Sequence, residues 1–170
     1  MPQASAALKS EPKTVAKIDI GLDAKYCDQA STALTEILAA NYRLLIKTHV
    51  YHWNVVGPLF KPLHELTEAQ YGALFEAADI IAERIRALGH LAPAKISTAA
   101  QFSPKSGDVG HLAAEDIVHD LIADHEEVVR TMRDTAEKAG DAKDKVTEDM
   151  LTQRLTFHEK ALWMLRAIVS

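Results

Sequence analysis

The chain has 170 residues, 48% of them hydrophobic and 25% charged, which is the composition of a globular protein with one core. Its 24 acidic and 19 basic side chains give a formal net charge of −5, which excludes a folded body that attracts nucleic acid through overall positive charge. The single cysteine, Cys27, excludes an intrachain disulfide framework and a multi-cysteine metal site.

The hydropathy of the chain argues against a membrane location. No stretch approaches the roughly 18 apolar residues of a membrane span, and the N-terminus lacks the basic and apolar regions of a signal peptide. We therefore expect a cytoplasmic protein. With 7 glycines and 6 prolines, and with Ala, Leu, Glu, Asp and Lys dominant, the composition predicts an all-α fold.

The first part of the chain, residues 1–20, has no sustained apolar period and is predicted to be a flexible tail. One domain is expected over residues 21–170. The tail carries three lysines: Lys9, Lys13 and Lys17.

Four segments after the tail have apolar residues at helical spacing. The first helix is predicted from Ala30 to about Val55. The second is predicted from near Phe60 to Gly89, which suits a left-handed C-terminal cap. The third ends near Gly140, and the fourth extends almost to the C-terminus.

A long connection separates the second helix from the third. Residues 90–110 contain two prolines and two glycines and are longer than a turn between neighbouring antiparallel helices. We expect a crossover with room for one short helix over residues 96–102. Four helices with a long central crossover predict a ferritin-like four-helix bundle.

The second helix carries a row of candidate metal ligands on one side. His64 and Glu68 are one turn apart, Asp79 and Glu83 are one turn apart, and the eleven residues from Glu68 to Asp79 make about three turns. Acids spaced by four residues are also common on solvated helix faces, so the row alone does not decide between the two interpretations.

His52 favours a metal site, because it lies on the inward line of the first helix, just before the turn that leads to His64. Imidazole nitrogen with carboxylate oxygen suits Fe(II), Mn(II) or Zn(II), whereas Ca²⁺ and Mg²⁺ favour oxygen alone. Glu68 and Asp79 are about 16 Å apart along the helix axis, so the two ends of the row cannot hold one ion within a single chain. The geometry therefore requires two chains, related by a two-fold axis.

The other histidines carry weaker signals. His158 lies on the apolar stripe of the fourth helix and is expected to be a core or interface residue. His90 and His111 flank the crossover and are expected to be loop residues. Three roles stay open, those of His49, His119 and His125.

An acidic row follows the third helix, where Asp116, Asp120 and Asp124 recur every four residues and Glu127 continues the pattern. A solvated face and a functional acidic surface are both compatible with this spacing.

The segment 51–89 resembles the Dps family, the starvation-induced mini-ferritins. The residues at the family's intervals are His52-Trp53-Asn54, Gly57, Phe60, His64, Asp79, Ala82-Glu83-Arg84 and Gly89. The resemblance extends over about residues 30–168. It implies a dodecameric hollow shell that oxidises Fe(II), preferably with hydrogen peroxide, at sites between two-fold-related subunits and stores ferric mineral inside.

The resemblance also implies individual roles. His52 and His64 correspond to the nitrogen ligands from one subunit, and Asp79 and Glu83 to the carboxylate ligands from its mate. Trp53 matches the tryptophan that takes up an oxidising equivalent near the site.

Three further expectations concern the metal site and the entry of iron. Glu68 stands where the family usually has Asp, and its extra methylene is expected to affect the occupancy and affinity of a second iron position more than those of the first. Zinc is expected as a competing ion. Acidic three-fold pores of the family's shells imply that Asp116, Asp120 and Asp124 concentrate Fe(II) at an entrance.

Three functions are therefore considered. The first is a ferroxidase and iron store that protects DNA from oxidative damage. The second is primarily a DNA-compacting, nucleoid-associated protein that binds through many copies of the tail lysines Lys9, Lys13 and Lys17. The third is a helical oligomer without redox function, whose histidines and acids form salt bridges between subunits.

Overall fold

A computed structural model describes residues 19–93 and 112–170, and within these ranges the chain forms four α-helices. Their bounds are Ala24–Asn54 for α1, Phe60–Ala87 for α2, Ala114–Asp141 for α3 and Lys145–Ile168 for α4. α1 packs on α2, α3 packs on α4, and α1 also contacts α3. None of these four helices is both long enough and apolar enough to cross a membrane. The predicted all-α four-helix bundle is confirmed.

The start of α1 differs from the prediction. The helix begins at Ala24 rather than Ala30, because Asp23 caps it by accepting a 3.1 Å hydrogen bond from the backbone N–H of Tyr26. The added turn buries only Cys27, so it shows no apolar stripe in the sequence. The tail lysines and the predicted short helix over residues 96–102 lie outside the described residues.

The end of α2 matches the predicted glycine cap. Gly89 has a φ of 91°, and its N–H donates to the carbonyl of Arg86 at 3.0 Å. The N–H of His90 donates to the carbonyl of Ile85 at 3.2 Å, which satisfies another terminal carbonyl. A side chain with a Cβ would be strained at this φ, so glycine fits the position.

Two apolar clusters fill the bundle. One lies around Leu34, Ile81 and Leu151, and the other around Leu44 and Leu121. Each fully buried Leu or Ile contributes on the order of 1.5–3 kcal/mol to folding. The predicted core stripe of α2 is buried throughout: Leu74, Ala78, Ile81, Ile85 and Leu88.

Polar side chains lie between the two clusters. The Asn41 side chain donates to the Leu74 carbonyl at 2.8 Å, and the Nδ1 atoms of His125 and His158 are 2.9 Å apart. Both histidines are completely buried, which confirms His158 as a core residue. Burial lowers the pKa of His125 to about 4, and burial also lowers the pKa of His158, so both rings are neutral at pH 7.

A buried ion pair fixes the C-terminal half of α2 against the start of α4. One Arg84 nitrogen, Nη2, lies 2.7 and 2.8 Å from the two carboxylate oxygens of Asp144, and Nε donates to Thr147 at 2.8 Å. Tyr26 of α1 donates to Asp144 at 2.9 Å. Burial alone would raise the pKa of Asp144, but the hydrogen bonds from Arg84 and Thr147 lower it overall. This network holds Arg84, the residue next to Glu83, against the start of α4.

We expect the buried histidine pair to make stability sensitive to acid. The folded-state pKa of His125 lies below the ordinary value of 6.5, so the unfolded chain binds more protons as pH falls from 6.5 towards 4. The free energy of unfolding should therefore fall by about 2 kcal/mol per histidine between pH 7.5 and pH 5. Urea unfolding at the two pH values measures the change.

The matched control is a His125→Leu/His158→Leu double variant, which lacks both titrating groups. Its stability should decline less over the same pH interval. Equal declines in the two proteins would show that other groups cause the acid sensitivity.

Candidate metal centre

His52 and His64 hold each other by reciprocal hydrogen bonds. His52 lies in the last turn of α1 and His64 near the start of α2, and the short turn between the helices brings their rings together. His52 Nδ1 is 2.9 Å from the His64 carbonyl oxygen, and His64 Nδ1 is 2.9 Å from the His52 carbonyl oxygen. The rings stack with centroids 3.7 Å apart and an interplanar angle of 18°.

These hydrogen bonds determine the tautomer of both rings. A backbone carbonyl can only accept, so each Nδ1 carries the proton and donates it. In the neutral rings each Nε2 then keeps its lone pair, which is the form in which imidazole binds a metal. Thr67 Oγ1 donates to the Leu63 carbonyl at 2.6 Å and lies 3.4 Å from His52 Nδ1, which adds packing behind the pair.

Aromatic rings surround the histidine pair. The Tyr71 ring meets the His52 ring edge-on, with centroids 5.2 Å apart, and stacks on the His49 ring, with centroids 4.2 Å apart. The His49 ring also contacts the Trp53 ring, with centroids 4.2 Å apart. Trp53 is 62% exposed. Tyr71 and Thr67 were missed by the sequence analysis. Tyr71 lies seven residues and Thr67 three residues after His64, which places both on the face of α2 towards α1. This spacing could have indicated that they contact the histidine pair.

The predicted carboxylates face outwards on α2. Glu68, Asp79 and Glu83 are exposed, and Phe75 between them is 66% exposed. From His64 to Asp79 the helix rises about 22 Å at 1.5 Å per residue, so the histidines and the distal carboxylates do not meet within one chain. Among the described residues no three His, Cys, Asp or Glu side chains converge as a metal site. The α2 face thus presents a nitrogen end and an oxygen end, each incomplete.

Comparisons with known proteins agree with this fold. Residues 31–170 match the ferritin-like domain family. The DNA protection during starvation protein of Brevibacillus brevis is 31% identical over 126 residues, covering 74% of this chain and 85% of that protein. This chain belongs to the Dps family.

Other relatives of this Dps-family protein extend over more of the chain. An uncharacterized low temperature-induced protein of Nostoc is 38% identical over 155 residues, covering 90% of this chain and 87% of that protein. The crystal structure of a Dps protein from Vibrio cholerae superposes with a TM-score of 0.82 at 26% identity, covering 94% of this chain and all of that chain. That structure is described as a member of a broad superfamily of ferritin-like diiron-carboxylate proteins.

The acidic row of α3 is partly neutralised in this Dps-family chain. Lys47 of α1 lies 3.0 Å from Asp120 and 2.6 Å from Asp124, and Tyr51 also donates to Asp120. Burial raises the pKa of Asp124, while Lys47 opposes the increase. Asp116 is exposed and accepts a 3.3 Å hydrogen bond from the Ala113 N–H at the helix start. Two of the three carboxylates are therefore intrachain ion-pair partners, and a pore function for the row stays a prediction.

We expect substitutions along this row to have unequal effects on stability. Asp120→Ala removes the acceptor of the buried Tyr51 hydroxyl and one of the two carboxylates that pair with Lys47, and should lower the free energy of unfolding by about 2 kcal/mol. Asp116→Ala is the matched control and should cost less than about 1 kcal/mol, because it removes one exposed capping contact. Urea unfolding of both variants measures these changes. Equal losses of the free energy of unfolding in the two variants would contradict the assigned pairing.

Proposed function

We propose that this Dps-family protein is a ferroxidase that oxidises Fe(II) and stores the ferric product in a homo-oligomeric shell. The observation that supports this proposal is a pair of incomplete half-sites, one where the end of α1 meets the start of α2 and the other farther along α2. His52 and His64 present ligand-competent nitrogens at one end, and Asp79 and Glu83 present exposed oxygens at the other. Relatives named for DNA protection during starvation and for diiron-carboxylate chemistry agree with an iron function.

Each site would form where two α2 helices meet antiparallel around a two-fold axis. Such an arrangement places the nitrogen end of one helix opposite the oxygen end of its mate, and it generates two identical sites per dimer. The exposed Phe75 and Trp53 supply apolar surface for the contact. Burial in this contact would remove water from the carboxylates, so an Fe(II) ion would compensate their negative charge.

In the reaction that we propose, Fe(II) is the substrate. His64 and the partner subunit's Glu83 would bind the first ion, and His52 with the partner subunit's Asp79 or with Glu68 of its own chain would bind a second, weaker one. Hydrogen peroxide then accepts two electrons and two protons to give two water molecules, while two Fe(II) ions become two Fe(III) ions. Because both electrons leave together, no hydroxyl radical is released. Trp53, in contact with His49, would supply an electron when a single ion is bound.

Zinc is the competing ion that the ligand set suits best. Zn²⁺ accepts the same imidazole and carboxylate ligands as Fe(II) and has no redox chemistry. Zn²⁺ bound at the shared site should therefore block Fe(II) oxidation without turning over.

Mixed oligomers test whether the site is shared. A His52→Ala/His64→Ala chain and an Asp79→Asn/Glu83→Gln chain should each assemble and each lose peroxide-driven Fe(II) oxidation. When the two chains are co-expressed, one of the two sites in a mixed dimer regains all four ligands. With random pairing, about a quarter of the wild-type sites should return, measured by stopped-flow absorbance of Fe(III).

The matched control is the histidine variant co-expressed with a differently tagged copy of itself. That preparation should stay inactive, and Zn²⁺ should abolish the activity regained by the mixed oligomer. A mixed oligomer no faster than either parent would reject a shared site built from these residues.

DNA binding is the second candidate, supported by relatives named for DNA protection and by the tail lysines Lys9, Lys13 and Lys17. An oligomer presents many copies of the tail, so weak contacts to phosphates combine into measurable avidity. Such binding decreases steeply with salt, because each lysine contact releases counterions.

A gel shift with the full chain and with a chain lacking residues 1–18 tests this function. The full chain should retard linear DNA at 50 mM salt and lose most of its affinity by 200 mM, whereas the truncated chain should bind at neither concentration. Equal binding by the two proteins would exclude the tail as the contact.

A further inference from the structure

A glycine interrupts the outward face of α2 near its middle. Gly72 lies four residues after Glu68 and seven before Asp79, so it falls on the same line along the helix as the candidate ligands. Its φ is not in the left-handed region, and a Cβ at this position would meet no neighbouring atom within 4 Å in the described part of the chain. Glycine is also a poorer helix former than alanine. Neither the backbone conformation nor the packing of these described residues therefore requires glycine here.

A large apolar side chain lies three residues further along the same face. Phe75 is 66% exposed, and the nearby side chains of Glu68 and Asp79 are exposed as well. An aromatic ring in this position loses contact with water only when another molecule covers it. The face thus carries a notch at Gly72 and a projecting ring at Phe75.

The proposed shared site determines which residues face each other across the two-fold axis. In an antiparallel pair of identical helices, each step towards the C-terminus on one helix matches a step towards the N-terminus on the other. His64 lies opposite the partner subunit's Glu83 in the proposed site. Gly72 is eight residues after His64, and Phe75 is eight residues before Glu83. Gly72 therefore faces the partner subunit's Phe75, and the symmetry repeats this contact in the opposite sense.

We propose that a second copy of the chain packs its Phe75 ring against Gly72, twice per dimer, and that this reciprocal contact sets the alignment of the two α2 helices. The inference rests on the proposed function, because the pairing of His64 with the partner subunit's Glu83 supplies the alignment. A residue without a Cβ lets the ring lie directly on the helix backbone, as a knob in a hole.

The neighbouring positions on the helix make this alignment specific. If one helix slid by a full turn in either direction, the ring would meet the side chain of Glu68 or Glu76 instead of bare backbone. Both glutamates are exposed, and covering a charged carboxylate with an aromatic ring is unfavourable. Gly72 and Phe75 are therefore positioning residues, which bring the ligands of the two subunits together without contacting the ion.

Disulfide cross-linking in the absence of iron measures the alignment. A Gly72→Cys chain and a differently tagged Phe75→Cys chain, both also carrying Cys27→Ser, are co-expressed and mildly oxidised. In a mixed dimer the two new cysteines lie opposite each other, while the second contact between Phe75 and Gly72 stays native. A disulfide bond requires Cα atoms within about 7 Å, so we expect most mixed dimers to cross-link.

The matched control uses Ala69→Cys in place of Gly72→Cys. Ala69 is also exposed on α2, but it is out of alignment with the partner subunit's Phe75 by about 4.5 Å along the axis. Cross-linking should fall by about fivefold or more. Equal cross-linking by the two pairs, or none with Gly72→Cys, would overturn the proposed contact. If the disulfide forms but the mixed oligomers of the ligand variants regain no iron oxidation, the proposed function fails and the contact stands.

Side-chain size at the notch provides a second test. Gly72→Leu should fold, because a side chain there meets no neighbouring atom of the described chain and leucine favours helix. It should nevertheless slow peroxide-driven Fe(II) oxidation by about tenfold or more, because misplaced ligands react slowly. Ala69→Leu is the matched control and should keep the wild-type rate.

The double variant Gly72→Leu/Phe75→Ala exchanges the notch and the projection, so the new leucine faces the partner subunit's shortened side chain. It should recover much of the rate lost in Gly72→Leu, a recovery that damage to the subunit fold would not show. A wild-type rate in Gly72→Leu, or no recovery in the double variant, would contradict the proposal.

Discussion

The length of α2 is the constraint on which the proposed metal centre depends. A helix rises 1.5 Å per residue, so ligands fifteen residues apart on one face stay about 22 Å apart whatever the rest of the fold does. His64 and Asp79 are held at the two ends of such a segment, and the core stripe of α2 is buried along its length. A second copy of the chain is the simplest way to bring both ligand types to one ion, and a two-fold axis does so twice.

Each proposed half-site is held in position by contacts within its own chain. Reciprocal hydrogen bonds between His52 and His64 fix the tautomer that leaves Nε2 available, so little reorganisation is needed when a metal binds. At the other end, the buried pair of Arg84 and Asp144 secures the helix beside Glu83. The carboxylates themselves are exposed, so the cost of bringing them out of water arises only on assembly, where a cation would offset it.

Sequence periodicity predicted the extent, the core stripe and the glycine cap of α2, because all three have fixed spacings along one element; the metal-binding role of its His, Asp and Glu row stays a prediction. The first turn of α1 was missed, because it depends on the cap at Asp23 rather than on buried apolar residues. The partners of Asp120 and the burial of His125 were also beyond sequence analysis. Both depend on the position of α3 along the axes of the helices it packs against, and a single sequence carries no direct signal for that position.

The central claim is that two subunits hold one iron ion between them. Diffraction at the iron absorption edge, from crystals of the assembled protein soaked anaerobically in Fe(II), tests it directly. We expect an anomalous peak at the two-fold interface, bounded by His52 and His64 of one subunit and by the partner subunit's Asp79 and Glu83. An iron ion ligated wholly within one chain, or an interface without iron at saturating Fe(II), would contradict it.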